Sequence, residues 1–427
     1  MKSTAYDIVV VGAGMVGAAL ALALTRAGWQ VALIDRAAPV PFEASQRPDL
    51  RVSAISSGSE RWLRELGVWE GIVQRRSTPF RRMSVWEQQA GLLAQIPALA
   101  QLSARARTTF DAADLKRPQL GHIVENPVTQ SALWEALEAD GRATLLAPAT
   151  LVSLTQDEQQ ATVTLKDQIL TAPLVIAADG AASMTRQQVS IGTSSDQYQQ
   201  HAMVITVAHE APAQDITWQM FTPTGPRAYL PLPTIDGQCW GSLVWYHDPH
   251  TLDRLAALDE TALLDAIRDA FPEELPRLQG APAHGRFPIA RQHAHQYSKG
   301  RVVLVGDAAH TINPLAGQGL NLGFQDAQCL SRLLTQARRQ QGDPGASGLL
   351  QAYEQERRPE NTLMMTAMDL FYHGFSNRHP PLKLLRNLGL GLAGSLSPAR
   401  NEVARFAMGL DGHLSRPMKT LLRRLPL

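Results

Sequence analysis

The chain has 427 residues, 44% of them hydrophobic and 19% charged, which suits one large or two closely joined water-soluble domains. Forty basic side chains face thirty-nine acidic ones, a formal net charge of +1 that leaves no global field to recruit nucleic acid. The two cysteines, Cys239 and Cys329, have no CxxC spacing, which argues for a reducing compartment and against a disulfide framework or zinc ribbon.

In chain order, Ile8–Val11 reads as a buried strand, Met15–Arg26 as a helix and 30–34 as a second strand ending at Asp35 and Arg36. The run from Ile8 to Thr25 carries no charge and invites comparison with a signal peptide or membrane span. Asp7 stands in front of it, Gly12, Gly14 and Gly17 divide it, and it falls short of the ~20 residues a span needs. It is read as strand, turn and helix of a cytoplasmic protein. A helix over 130–139 and strands over 161–165 and 174–178 follow. From about 190 to 287 the texture changes to alternating segments such as 203–207 and 241–246, separated by Pro and Gly. That pattern predicts a mostly antiparallel sheet inserted into an α/β body. Residues 301–305 return as a buried strand and 318–339 as a helix. Helix continues from 351, with interruptions at Pro380, Pro381 and Pro398. The expected division is a discontinuous body of 1–189 and 285–350, a sheet domain of 190–284 and a helical region of 351–427.

Three motifs carry chemistry. The first is Gly12-Ala13-Gly14-Met15-Val16-Gly17, where glycines serve a tight turn, close approach of backbone to a pyrophosphate, and helix–strand packing. Phosphates then lie on the positive end of the helix dipole, and Asp35, eighteen residues past Gly17, is placed to bind ribose hydroxyls. A second GxGxxG, at 389–394, follows no strand and has no acid at the right distance, so it is read as a small-residue helix face. The second motif, Asp179-Gly180-Ala181-Ala182-Ser183-Met184-Thr185-Arg186, follows a strand directly. It reads equally as a ligand-binding turn or as a turn alone. The third is Gly306-Asp307-Ala308-Ala309-His310-Thr311, followed by Asn313-Pro314-Leu315-Ala316-Gly317-Gln318-Gly319-Leu320-Asn321. A strand delivers Asp307 to its carboxyl edge, and a glycine-rich segment opens a helix whose free N–H groups suit a ligand that gains negative charge, as a flavin does on reduction.

Together these segments resemble the fingerprints of class A flavoprotein aromatic hydroxylases of the para-hydroxybenzoate hydroxylase fold. Within that class, Arg51-Val52-Ser53-Ala54-Ile55-Ser56, His122-Ile123-Val124-Glu125-Asn126 and Gly317 to Asn321 are similar to the ubiquinone-biosynthesis ring hydroxylases. One branch of that family is also matched by Phe110 to Leu115, Gly225 to Pro231, Ser242 to Tyr246 and Met368 to Asn377. The resemblance implies an α/β, Rossmann-like FAD-binding domain, an inserted substrate-binding sheet and C-terminal helices. It implies FAD as cofactor, NAD(P)H as a transiently docked donor, and O2 with a polyprenylated quinol as substrates. By position, Gly12, Gly14, Met15, Val16 and Gly17 would hold the pyrophosphate. Asp35, where the family often has Glu, and Arg36 would hold the ribose. Arg51, Ser53 and Asn126 would flank the phosphates and ribityl chain, and Gly306 and Asp307 would meet the ribityl hydroxyls or pyrophosphate. Pro314, Gly317, Gln318, Gly319, Leu320 and Asn321 would line the isoalloxazine. Asp179, Gly180 and Arg186 belong to the segment associated with both FAD and NAD(P)H.

No residue is singled out for proton transfer. His293, His295 and His310 lack metal-ligand spacing, and no metal is expected. Trp218, Trp240 and Trp245 read as sheet core or as lining of an apolar pocket. Met203, Val204, Met220, Phe221, Tyr229, Leu230, Leu243 and Val244 complete that candidate channel, with Arg227 the one obvious cation among them. Alternatives on the same fold are a sibling hydroxylase acting on another ring carbon, an FAD-linked reductase or halogenase, and a non-catalytic flavoprotein. Between 371 and 427 stand nine basic and two acidic side chains, a net of +7, leaving −6 for the rest. That segment is expected at a membrane surface, or against a partner in a biosynthetic assembly.

Overall fold

The computed structural model describes residues 2–88, 107–314 and 317–375. Every side chain of Ile8–Val11 is buried, as a β-branched strand covered on both faces requires. Leu174–Ala177 and Val31–Ile34 flank it in parallel register. Val302–Leu304 extends the sheet beyond the first, Thr144–Leu146 beyond the second, and Ser298–Lys299 closes one edge antiparallel. The strands that precede the three motifs are therefore adjacent, so their carboxyl ends lie side by side. Helices fill the expected Met15–Arg26 and Gln318–Arg339. The helix expected over 130–139 runs Asn126–Asp140, starting earlier because Pro127 suits a first turn, and Gly141 at φ +67° ends it.

The second large sheet has eight strands, in the order His310–Thr311, Leu278–Ala294, Thr193–His209, Gln238–His247, Arg227–Ile235, Ile216–Phe221, Arg82–Glu87 and Thr108–Asp111. It is antiparallel except where Ile216–Phe221 pairs with Arg82–Glu87. Strands from ahead of 190, and one running past 284 to Ala294, place this sheet across both expected boundaries. Two helices that the sequence reading did not anticipate, Pro249–Ala256 and Glu260–Ala270, cover one face, capped by Asp248 and Asp259. Strand alternation divides the residues expected to share a channel. Met203, Trp218, Tyr229, Leu243 and Trp245 pack beneath those two helices. Phe221 and Val244 lie on the opposite face with Ala202, Tyr246 and Ile289, against Met368 and Tyr372 of the long helix Ser347–Phe375. Leu230 and Trp240 belong to a third cluster. A period-two pattern announces two faces but not which one a neighbouring helix will cover.

The long helix continues through Pro359. Pro380, Pro381, Pro398, the 389–394 glycine segment and residues 376–427 lie outside the described residues. None of the helices among the described residues is long and apolar enough to cross a membrane.

The long helix is tied to the six-stranded sheet by a buried polar network centred on Asp326. Its carboxylate accepts from the Gly306 amide (3.1 Å), His310 Nε2 (2.5 Å), Arg357 Nε (2.8 Å) and Asn361 Nδ2 (3.0 Å). Tyr353 donates to the Leu304 carbonyl at 2.9 Å, fixing the helix on the strand that feeds the third motif. Burial alone would push the Asp326 carboxyl up, but the combined pull of His310 and Arg357 holds it well below the usual carboxylate range. A depressed folded-state pKa contributes stability that is complete above the ordinary value of 3.8 and is lost as pH falls through the folded one. Acid unfolding of Asp326→Asn is therefore expected to be flatter with pH below 4 than that of the parent, starting from a lower plateau. Leaving buried Arg357 with only the half-buried Glu360 as carboxylate partner, and His310 with none among the described residues, should lower stability at pH 7 by about 3 kcal/mol, read by chemical denaturation.

Candidate active site

The glycines of the first motif differ in what surrounds them. Gly12 holds φ +104°, and a Cβ there would lie 2.4 Å from the Ala178 carbonyl oxygen. A Cβ at Gly17 would lie 1.9 Å from the Gly12 carbonyl oxygen, whereas no atom comes within 4 Å of one at Gly14. Two glycines are thus demanded by the chain itself, and the third faces open space. Gly14 caps the Met15–Arg26 helix without a side-chain hydrogen bond, and no acid occupies the first turn. The free N–H groups there form an anion-favouring end. Ala13 is fixed from both sides: its amide donates to Asp35 Oδ2 (2.6 Å), and its carbonyl accepts from Gln130 Nε2 (3.0 Å). Asp35 also accepts from the Ala37 amide at 3.2 Å, with Arg36 exposed beside it.

In the second motif Asp179 turns inward to its own loop. It accepts from Ser183 Oγ at 2.5 Å and from the amide and hydroxyl of Thr185 at 3.0 and 2.9 Å. Arg186 is buried and donates to the carbonyls of Ala308 (2.8 Å) and Ala181 (2.9 Å). Burial draws the Arg186 guanidinium pKa down against the attraction of Asp179. Arg186 thus staples the second motif to the third, and Asp179 braces the loop that holds it. Gly180, at φ +81°, is half-buried and open on its Cβ side.

Asp307 is exposed by area yet hemmed in by protein, as at the floor of a groove. Crowding raises its pKa, while His310 and Arg51 pull it back, which puts the Arg51 charge close by. Gly306 at φ +60° lets the turn pass Val16, and Gly323 continues that close approach, since a Cβ there would sit 2.7 Å from Val16 Cγ2. Gly317 caps the Gln318–Arg339 helix in the left-handed region, again with no side-chain cap and no acid in the first turn. Asn321 spends its amide inside the protein. Its oxygen accepts from the Ser56 amide (3.0 Å) and Ser59 Oγ (2.8 Å), and its nitrogen donates to the carbonyls of Ala54 (2.8 Å) and Gly317 (3.2 Å). It thereby stitches the third motif to the strand after Arg51. Gln318 is buried, Gly319 and Leu320 half-buried, and Pro314 exposed; Leu315 and Ala316 lie outside the described residues.

Ser53 Oγ donates to Asn126 Oδ1 at 2.7 Å, joining two of the predicted residues. Next to them Glu125 accepts from Arg76 Nη1 (3.2 Å) and the Asp49 amide (2.7 Å). Arg76 also donates to the carbonyls of Glu43 (2.9 Å) and Gln46 (2.7 Å), holding the loop between Asp35 and Arg51. Burial raises the Glu125 carboxyl pKa, opposed by the Asp49 amide and Arg76. Gln130, Arg76, Gly323 and Asp326 were missed in the sequence, and Glu125 was noted only as part of the 122–126 segment, without a role. The histidines find protein partners: His310 bonds Asp326, His293 the Tyr297 hydroxyl (2.9 Å) and His295 Ser194 Oγ (3.1 Å).

Two uncapped helix N-termini, an open glycine and a carboxylate facing a groove near Arg51 fit a dinucleotide with a pyrophosphate and a polyol. The comparisons agree. The sequence pattern of the FAD binding domain family spans residues 5–367. The 3-demethoxyubiquinol 3-hydroxylase of Escherichia coli (strain K12) is 43% identical over 96% of this chain and 100% of its own length. The ubiquinone hydroxylase of Rhodospirillum rubrum is 34% identical, over 99% of this chain and 93% of its own. The crystal structure of p-nitrophenol 4-monooxygenase from Pseudomonas putida superimposes with a TM-score of 0.76 at 18% identity, covering 96% of this chain and 98% of that one, and so shares the fold.

The glycine environments predict two distinct failures within one motif. Gly17→Ala should lower the melting temperature of the flavin-free protein, because the new methyl collides with fixed backbone. Gly14→Ala should leave that temperature unchanged and reduce flavin occupancy, measured by absorbance against protein.

Proposed function

The chain belongs to the FAD binding domain family and is an FAD-dependent monooxygenase, and we propose that it hydroxylates the ring of a polyprenylated benzoquinol in ubiquinone biosynthesis. The reaction proposed is that of 3-demethoxyubiquinol 3-hydroxylase, on the strength of the 43% identity over nearly the whole of both chains. The observation that supports a neutral, apolar ring is the sheet face turned toward the long helix. There Ala202, Phe221, Val244, Tyr246 and Ile289, with Tyr198, pack against Met368 and Tyr372 of that helix. Tyr246 reaches Asn313 of the third motif at 3.3 Å. Arg227, the cation expected near the channel, is on the other face, donating to the Ala270 carbonyl at 2.6 Å and lying over Trp245.

Gly12, Gly14, Met15, Val16 and Gly17 admit the FAD pyrophosphate to the helix end, and Asp35 with Arg36 addresses the ribose. Arg51, Ser53, Asn126, Gly306 and Asp307 meet the polyol and phosphates. Pro314, Gly317, Gln318, Gly319, Leu320 and Asn321 form the edge against the ring system, where the helix N-terminus favours added negative charge. Arg186 keeps the second and third motifs in register, and Asp179 and Gly180 shape the turn that carries it. When bound there, FAD would supply the redox chemistry, with NAD(P)H as electron source, one atom of O2 going to the ring and the other to water. The chain's own contribution is to orient the ring through hydroxyl and amide partners at Tyr246 and Asn313 and to exclude water with the apolar face.

Asp307→Ala should fold yet hold FAD more weakly by about 1–3 kcal/mol, the cost of one lost polar anchor. Full flavin occupancy with normal turnover would remove Asp307 from the site. In the parent, a short-chain prenylated methoxy-methyl-benzoquinol should stimulate NAD(P)H oxidation and para-hydroxybenzoate should not. Complementation of strains each lacking one ring hydroxylase, with intermediates identified by mass, fixes the carbon. The basic segment 371–427 is proposed to hold the enzyme at an anionic membrane surface or in an assembly there, where such a quinol resides. Flotation with anionic liposomes should weaken when the chain ends at Ser415, and equal flotation would set that role aside.

A further inference from the structure

Arg291 stands two residues beyond Ile289 on strand Leu278–Ala294, and so on the face that meets the long helix. Its guanidinium lies 2.8 Å from Asp369 Oδ2, with exposures of 31% and 16% for the two side chains. The other Asp369 oxygen accepts from the Tyr198 hydroxyl. Tyr198 packs edge-on against Tyr372 with centroids 4.6 Å apart, and Tyr372 donates to Gln200 Oε1 at 2.9 Å. Burial and Asp369 raise the Tyr198 pKa while the Asn313 amide pulls it back, so Tyr198, Asp369 and Asn313 form one cluster. Asp196, 4.0 Å from Arg291 and 78% exposed, is a weaker second partner. The neighbouring cations Arg227 and Arg286 face the other way, toward the Ala270 carbonyl and Asp253.

An unpaired guanidinium in an otherwise apolar ring site would be the natural anchor for an aromatic carboxylate, by a bidentate, charge-assisted contact. Here the protein supplies that carboxylate itself. We infer that Asp369 is a specificity-determining residue: by occupying Arg291 it denies aromatic acids their anchor and confines the site to neutral rings. Selection of this kind works by disfavouring the wrong ligand rather than by tightening the right one. The inference rests on the proposed placement of the ring between the sheet and the long helix.

The test uses the FAD-loaded full chain and two probes, para-hydroxybenzoate and a short-chain neutral prenylated benzoquinol. Binding is followed by perturbation of flavin fluorescence. Asp369→Asn keeps the size and the Tyr198 contact, and Asp369→Ser serves if the first variant does not fold. Either should gain roughly tenfold or more in affinity for para-hydroxybenzoate, in a salt-sensitive manner, with quinol binding within about twofold of the parent. The gain should vanish in Asp369→Asn/Arg291→Met. A folded, flavin-replete variant that gains nothing overturns the inference, as does a gain that survives removal of Arg291. A parent that ignores the quinol overturns the proposed substrate instead, while the para-hydroxybenzoate arms still report on Asp369.

Discussion

One fully buried carboxylate, Asp326, decides how the three parts of this molecule meet. It lies on the helix that follows the third motif, and its four donors come from the motif's opening turn, from His310 and from the long C-terminal helix. An ionised carboxylate in such a place is tolerated only when every donor arrives in position, because its desolvation cost is several kcal/mol. The network therefore tolerates few alternative arrangements. Gly306, and with it Asp307, sits where Asp326 holds it, and the long helix lies where Arg357 and Asn361 reach. Tyr297, which accepts from Asn361 and pairs with His293, carries the same constraint to the end of the adjoining strand.

Around that fixed point the remaining motif residues fall into two kinds. Gly14, Asp307 and the exposed flank of Arg51 are turned outward to the groove. Asp179, Arg186 and Asn321 are turned inward, Asp179 bracing its own loop while Arg186 and Asn321 each bond one segment to another. The inward group is what allows a groove built from three separated stretches of chain to have a defined shape before any ligand enters. Preorganisation of that sort lowers the ordering cost of binding.

Much of this was legible in the sequence. Strand, turn and helix of the first motif were bounded correctly because glycine and β-branched residues leave little choice there, and the parallel neighbours followed from buried runs. The start of the Asn126–Asp140 helix was placed late because the signal at Asn126 is a proline-compatible first turn rather than apolar periodicity. The division of the second sheet's faces was not legible, since alternation is the same whichever face a helix covers. Asp326 did leave a trace: Leu322 and Leu330, one helical turn to either side, are buried. A charged residue on the apolar stripe of a helix needs a partner, and its partners here are distant in sequence. No local pattern could name Arg357 or Asn361.

The adjacency of the three motif strands has a consequence for the order of events during synthesis. Ile8–Val11 and Leu174–Ala177 can pair as soon as both have left the ribosome, but Val302–Leu304 joins them only after all of the second sheet except His310–Thr311 has emerged. Contacts spanning so much chain form slowly and leave an unfinished strand edge exposed meanwhile. A nascent chain therefore carries the phosphate-facing turn long before it carries Asp307, and the complete groove is among the last features to exist. A nucleotide bound at that late stage stabilises the closed sheet by mass action.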